Sequence, residues 1–558
     1  MKVYKGIAGS PGIAHAKVLY YKKNTAKIEN IGIDKAIEKA LEKVRTLHTK
    51  TLFELGEEKA KIFSAYEMLL EDAMLINPIK SEIESGKTEK DAIKSVTESA
   101  AGILEKKKNE YMRRRADDIR YIGSLLIDML SGADFIFPEG DDKFIIAAHE
   151  LTPVDTMQFD SKRLAGLATE LGGTTSHTVI LAKSLGIPAV VGITHIDEEG
   201  MQPAYIDGYD GTLVVAPDED TEKEYEKKLT SENILSEELD KSKASDAYTK
   251  DGERIYVYAN IGKPSDLSGF ENAAFDGVGL FRSEFLYSSS NKKPSFKEQV
   301  NAYRDAIKKM SPRPVTIRTL DIGGDKQLDY LNMKKEENPF LGSRGIRLCL
   351  ANPEIFKEQL KAILTAGAGE SVKIMLPMVT SLGEVKTAKS FLEEVKNQLT
   401  EEKTDFCRNI SLGIMIETPA SAIMADVFAK HVDFFSIGTN DLVQYINAAD
   451  RGNSDVENLY NPYNPAVIRM LSNVIGAGAK ENIDVSMCGD LAANTSFTEV
   501  LLGMGLKKFS VPLPMLGRVK NKIGKITLAD AKQLAHLAVN AEDEKQIEQL
   551  LKKDGDNK

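Results

Sequence analysis

The sequence predicts an α/β protein. Its C-terminal half reads as a TIM (β/α)8 barrel, and its N-terminal part as an α/β domain with an inserted helical bundle. Three observations lead there. After residue 250, short apolar runs alternate with helical segments. Polar residues fall at the C-terminal ends of those runs, which in a barrel share one mouth. Residues 32–132 carry a continuous helical period, unlike the strand-like texture on either side.

The opening stretch, "MKVYKGIAGSPGIAHAKVLYY", reads as a strand, a Ser-Pro-Gly turn and a second strand. It lacks the apolar core and cleavage site of a signal peptide. In the helical region, "DKAIEKALEKVRTLHTKTLFELGEEKAKIFSAYEMLL" sets apolar side chains at helical spacing with charges between. "EDAMLINPI" and "SGKTEKDA" divide it into several helices. From about residue 143, short β runs ("KFIIAAHEL", "LAGLATELGG", "PAVVGI", "GTLVVAP") alternate with short helices. The charged stretch at roughly 218–247, "DEDTEKEYEKKLTSENILSEELDKSKAS", reads as a solvated linker helix.

Eight runs follow: "RIYVYANIG", "GVGLFRSEF", "PVTIRTLDIGG", "SVKIMLPMV", "SLGIMIETP", "VDFFSIGTNDL", "DVSMCGDLA" and "KFSVP". Eight βα units in roughly 290 residues fit a barrel. A ninth, "GSRGIRL", is ambiguous, and an open doubly wound sheet has a similar strand count. The hint that favours the barrel is that Arg282, Arg318, Glu417, Asn440, Asp441 and Cys488 all end an apolar run. The organisation expected is therefore a discontinuous α/β domain (1–21 and 133–217) and a helical subdomain (22–132). A linker helix (218–249), the barrel (250–540) and a C-terminal helix and tail (541–558) complete it.

A chain of 558 residues, 42% hydrophobic and 28% charged, suits several soluble domains. A net charge of −11 argues against nucleic-acid binding, and no run has the length of a membrane span. The cysteines, Cys349, Cys407 and Cys488, are odd in number and far apart, which suits a reducing cytosol better than a disulfide framework or zinc site.

Glu417 and Asp441 end successive β runs, and two carboxylates at a barrel mouth suit a hard divalent cation. Each alone is equally a solvated cap on the following helix. Arg282, Arg318, Arg344 and Arg451 flank the same strand ends, as guanidiniums that bind phosphate or carboxylate do. One or two of the four are expected only to pair with Asp321, Asp325 or Asp450. Cys488 is placed to protonate a carbanion, but a lone buried cysteine is more often a small hydrophobe.

Taken in order, these motifs resemble Enzyme I of the bacterial sugar phosphotransferase system, the phosphoenolpyruvate–protein phosphotransferases. The resemblance runs nearly end to end through "SPGIA", "LTPVDTMQ", "GGTTSHT", "GVGLFRSEFLY", "RTLDIGGDK", "EENPFLGSRGIR", "IETPAS", "FFSIGTNDLVQY", "DRGN" and "MCGDLA". Phosphate dikinases and phosphoenolpyruvate synthases share the Gly-Gly-x-Thr-Ser-His element, but they carry a large nucleotide-binding domain for which this chain has no room. The resemblance implies that His177 is phosphorylated, that Arg282 and Arg318 hold the phosphoryl group of phosphoenolpyruvate, that Arg344 and Arg451 complete an anion clamp, and that Asn440 adds to phosphate binding. It implies that Glu417 and Asp441 ligate Mg2+ and that Cys488 protonates the enolate carbon to give pyruvate. It also implies a cytoplasmic homodimer joined through the barrel, and helices that dock the histidine-containing phosphocarrier protein. Thr174, Tyr66, Ser343 and Asp490 depart from the family pattern, the last three at positions that bear on partner specificity and fine positioning.

His177 follows two glycines and three hydroxyl side chains in "GGTTSHTVILAKSLGIPAVVG" and opens a helix. A phosphorylated imidazole there meets open backbone N–H groups and the positive end of the helix dipole. Thr175 and Ser176 can orient the ring. The plainer alternative, that Thr and Ser only cap the helix, leaves the double glycine unexplained. In-line transfer requires His177 to meet the barrel's substrate and later the carrier, so the N-terminal part is expected to swivel about 218–250. Two other functions share the barrel chemistry. A carbon–carbon lyase has no need of His177 or residues 1–217, and a non-catalytic phosphoenolpyruvate sensor passes no phosphate on.

Overall fold

The N-terminal stretch forms three strands, not two, in a computed structural model of the chain: β1 (Lys2–Lys5), β2 (Ile7–Ser10) and β3 (Ile13–Tyr20). Gly6 separates the first two, and its N–H bonds to the Gly211 carbonyl at 2.9 Å. The structure describes residues 1–21, 31–55, 57–105, 110–132, 138, 140–151, 155–156, 159–173, 176–196, 200–288, 292–323, 328, 330, 336–451, 453 and 455–552. They divide into two units, Met1–Ile234 and Leu235–Lys558.

The first unit adds β4 (Phe144–Ala148), β5 (Leu164–Thr169), β6 (Ala189–Val191), β7 (Gln202–Asp207) and β8 (Thr212–Val215). The sheet order is β1-β8-β7-β3-β4-β5-β6-β2, so β1 and β2 end on opposite edges. From β3 to β6 the strands run parallel, and their inward faces are buried Ile, Leu, Ala and Val. Strand β7 is absent from the sequence expectation. Pro203 lacks an N–H and breaks the strand signature, yet it sits near the strand's start opposite Lys17, and Ala204–Asp207 behind it are buried.

Between β3 and β4 the chain inserts helices Ile33–Leu55, Glu57–Glu71, Ala73–Glu84, Glu89–Glu105 and Glu110–Ser131. The break expected within "EDAMLINPI" falls at Asp72, whose side chain caps the next helix by accepting the Met74 N–H at 2.8 Å. These helices have their own core. Tyr66 lies inside it, 2% exposed and stacked on Tyr121 with centroids 4.9 Å apart.

Helix Glu219–Ala244 spans the boundary between the two units. In the second unit, β9 (Ala247–Tyr248) precedes β10 (Arg254–Ile261), β11 (Val278–Arg282), β12 (Val315–Arg318), β13 (Val372–Leu376), β14 (Ser411–Ile416), β15 (Phe434–Ile437), β16 (Asp484–Met487) and β17 (Lys508–Pro512). Strands β10 to β17 run parallel in sequence order. Because β10 pairs with both β11 and β17, the eight close into a barrel, which excludes the open sheet. "GSRGIRL" is not a strand: it ends in helix Ile346–Ala351. Helix Glu544–Lys552 adds Ile547 and Leu551 to the barrel unit's core. Among the described residues no helix is long and apolar enough to cross a membrane.

Candidate active site

Strand register builds the site. Arg282 ends β11, Arg318 ends β12, and the two are direct partners. Ile416, Ile437 and Met487 are likewise aligned across β14, β15 and β16. One step further, Glu417, Gly438 and Cys488 therefore emerge side by side, with Gly438 N–H on the Ile416 carbonyl and Cys488 N–H on the Ile437 carbonyl, both at 3.0 Å. Helix Thr439–Asn447 begins at once and presents Asn440 and Asp441. Gly489 allows that close approach, since a Cβ there would stand 2.0 Å from Thr439 Oγ1. Arg344 arrives from the β12–β13 connection. It passes Gly323, whose φ of +125° and lack of a side chain leave room for Arg344 Cβ, 2.8 Å from where a Cβ would stand.

Together with Arg451, these side chains line one cavity of about 180 Å³. All eight barrel residues singled out by sequence meet there: Arg282, Arg318, Arg344, Glu417, Asn440, Asp441, Arg451 and Cys488. Asp321, read from sequence only as a structural partner, lines it as a third carboxylate. It stands three residues after Arg318, a spacing that was available as a signal.

Arg318 is buried between Glu284 (Nη2 to Oε1, 2.5 Å) and Asp321 (Nη1 to Oδ2, 3.1 Å). Burial works against its charge, but Glu284, Asp321 and Glu417 outweigh it and hold the guanidinium charged. Its Nε is buried with no hydrogen-bond partner. Glu284 was missed by sequence reasoning, though it lies two residues after Arg282. Arg344 bridges two carboxylates: Nε and Nη2 reach Asp321 at 2.9 and 3.0 Å, and Nη1 and Nη2 reach Asp441 at 2.9 and 3.0 Å. Among the described residues, Arg282 and Arg451 form no ion pair with a carboxylate, and both are exposed.

Glu417 is 1% exposed and accepts the N–H of Met378 at 2.6 Å. Met378 holds that N–H in place from a φ of +58°, the kind of backbone strain that functional sites retain. Burial, then Asp441 and Asp321, push the Glu417 carboxyl up to about 8. Cys488 packs with Leu280, Met375, Met415 and Phe434, and burial pushes its thiol up to about 11, so it carries its proton at neutral pH. Asn440 Oδ1 accepts the Asp490 N–H at 2.7 Å, which leaves the amide NH2 as a donor.

His177 belongs to the other unit. It is the first residue of helix His177–Leu185, which carries the chain from β5 to β6. Ser176 is the N-cap, but its side chain makes no capping bond and its Oγ is buried without a partner. The capping alternative therefore does not account for Ser176. Thr174 and Thr175 lie outside the described residues, as does Asp325. Glu170, just ahead of the two glycines, ties three segments together: it meets His149 Nδ1 at 2.6 Å and His195 Nδ1 at 3.3 Å, and accepts the Ile196 N–H at 2.7 Å.

Three family models match the chain: the N-terminal domain of PEP-utilising enzymes at residues 5–115, their mobile domain at 140–211 and their PEP-binding domain at 236–528. The chain is 40% identical over 565 residues to the phosphoenolpyruvate-protein phosphotransferase of Staphylococcus aureus strain MRSA252, covering 99% of both chains. It is 39% identical over 566 residues to that of Listeria innocua, again covering 99% of both. With that of Priestia megaterium it shares 40% identity over 543 residues, 95% of each.

Proposed function

The chain belongs to the phosphoenolpyruvate-protein phosphotransferase family, an enzyme of phosphoenolpyruvate-dependent phosphoryl transfer, and we propose that His177 and the barrel cavity divide its chemistry between them. His177 accepts the phosphoryl group and passes it to a histidine of a small phosphocarrier protein, with pyruvate released, as the first step of sugar uptake. The observation that carries this reading is the cavity at the barrel mouth, where four arginines face three carboxylates and a thiol.

Arg282 and Arg318 hold the phosphoryl oxygens. Asn440 and Arg451 complete the anion site, with Arg344 beside them. An imidazole nitrogen of His177 attacks phosphorus in line as the bond to the enol oxygen breaks. That leaves an enolate, and Cys488 gives its proton to the enolate carbon, which completes pyruvate. Burial against apolar neighbours keeps the thiol protonated until that moment.

The donors also fit a hard divalent cation. Glu417 and Asp441 offer only oxygen, and a cation would offset both the burial and the repulsion from Asp441 and Asp321 that raise Glu417. Among the described residues no group of three His, Cys, Asp or Glu side chains has metal-holding geometry. Mg2+ characteristically uses one or two carboxylates and completes its shell with water and substrate oxygens. Glu417 and Asp441 would hold it, and when bound it neutralises charge on phosphoryl and enolate oxygens. We place the enzyme in the cytoplasm as a homodimer joined through the barrel, with the helices of 22–132 docking the carrier.

The test is incubation with phosphoenolpyruvate and Mg2+. An acid-labile phosphate should appear on the protein and be absent from His177→Ala. Equal labelling of the variant would remove His177 from the reaction.

A further inference from the structure

We infer that Arg344 is an internal counter-cation of the cavity: it occupies Asp441 until an anionic substrate draws it away, so that divalent metal and phosphoenolpyruvate load together. This rests on the assignment of Glu417 and Asp441 as the metal-holding residues. Arg344, Asp321 and Asp441 are all nearly buried, with side chains 8%, 3% and 7% exposed. A guanidinium has five N–H donors. Arg344 engages both oxygens of Asp321 through Nε and Nη2, and both oxygens of Asp441 through Nη1 and Nη2. It cannot also grip a phosphate or carboxylate with two donors unless it lets one aspartate go.

The two aspartates are not equivalent. Asp321 also pairs with Arg318 Nη1 at 3.1 Å, so it keeps a cation if Arg344 moves. Asp441 has Arg344 as its ion-pair partner among the described residues. It stands beside Glu417, whose carboxyl already meets two like-charged neighbours. A buried carboxylate stripped of its cation is strongly disfavoured. Swinging Arg344 onto an anion therefore opens a vacancy that a divalent cation fills, and a cation on Asp441 frees Arg344 to take an anion. The two binding events share one free energy, and each strengthens the other by the same factor. Asp321 is the tether and Asp441 the released partner.

The probe is Mn2+, its binding followed by loss of the free-ion electron paramagnetic resonance signal. The protein is the full chain carrying His177→Ala, so that added phosphoenolpyruvate is not consumed. Phosphoenolpyruvate should tighten Mn2+ binding on the order of tenfold or more. Arg344→Gln in the same background should bind Mn2+ more tightly than its parent without phosphoenolpyruvate, and the added substrate should tighten it by a smaller factor than in the parent, since only the direct contact of substrate oxygens with the metal then remains. Arg344→Lys covers the case in which the glutamine variant does not fold. Its single ammonium cannot span both carboxylates, so it too should tighten Mn2+ in the absence of phosphoenolpyruvate. Unchanged or weaker Mn2+ binding in a folded Arg344 variant overturns the inference, even while Asp441→Asn abolishes binding. If neither Asp441→Asn nor Glu417→Gln affects Mn2+, the metal assignment itself has failed.

Discussion

Cys488 both fills space and borders the cavity. It packs among Leu280, Met375, Met415 and Phe434 and still lines the cavity. Serine nearly matches its size but is far less acidic, so Cys488→Ser should slow steady-state pyruvate formation by about 10²-fold or more. Phosphoenolpyruvate binding should hardly change, because the anion is assigned to the arginines in the proposed site. Near wild-type turnover from a normally folded variant would return Cys488 to a packing role. The pH dependence has a definite sign. The donor is the protonated thiol, and burial raises it to about 11. The contribution of Cys488 should therefore be constant through neutral pH and fall only as pH approaches 11, read from a pH–rate profile of the wild type against Cys488→Ser. At this scale, strand-end residues such as Arg282 and Glu417 were legible because an apolar run stops at them. The bridge from Arg344 to Asp441 was not. It joins residues 97 apart in sequence, and no local pattern says which of the carboxylates a guanidinium will choose.

Among the elements, the parallel barrel strands announced themselves as apolar runs because both their faces are covered. Strand β7 escaped because Pro203 lies near its start, and "GSRGIRL" was ambiguous because its apolar residues belong to a helix that starts only at Ile346. The end of helix Glu219–Ala244 is held by a feature that no spacing reveals. Lys520, buried on helix Leu516–Gly524, donates to the carbonyls of Lys243, Ser245 and Ala274. Lys520→Met fits the space but removes the ammonium from these carbonyls, of which Lys243 still accepts the Ala274 N–H at 2.9 Å. It should lower stability by about 1–3 kcal/mol, seen as an earlier urea transition of the full chain, with pyruvate formation at low temperature unchanged. An unshifted transition would mean that water replaces the ammonium at no cost.

The whole molecule carries its proposed nucleophile and its proposed substrate cavity on different units: His177 lies in Met1–Ile234 and the cavity-lining residues in Leu235–Lys558. Two consequences follow from that separation. A fragment comprising residues 1–247 should still exchange phosphate with an already phosphorylated carrier, although it has no Glu417 or Asp441. Failure of a folded fragment to exchange would mean that the barrel takes part in the second transfer. In the full chain, Glu417→Ala or Asp441→Ala should lose Mg2+-dependent turnover while the cooperative melt persists, since both sit at a mouth.

The central claim is that His177 takes the phosphoryl group from a substrate bound by the barrel. The most direct measurement pairs two readings on His177→Ala: transfer of label from 32P-phosphoenolpyruvate to the protein, and equilibrium binding of phosphoenolpyruvate. The account predicts no acid-labile label and nearly wild-type binding. Label on the variant at the wild-type level, or loss of phosphoenolpyruvate binding from a folded variant, would contradict it.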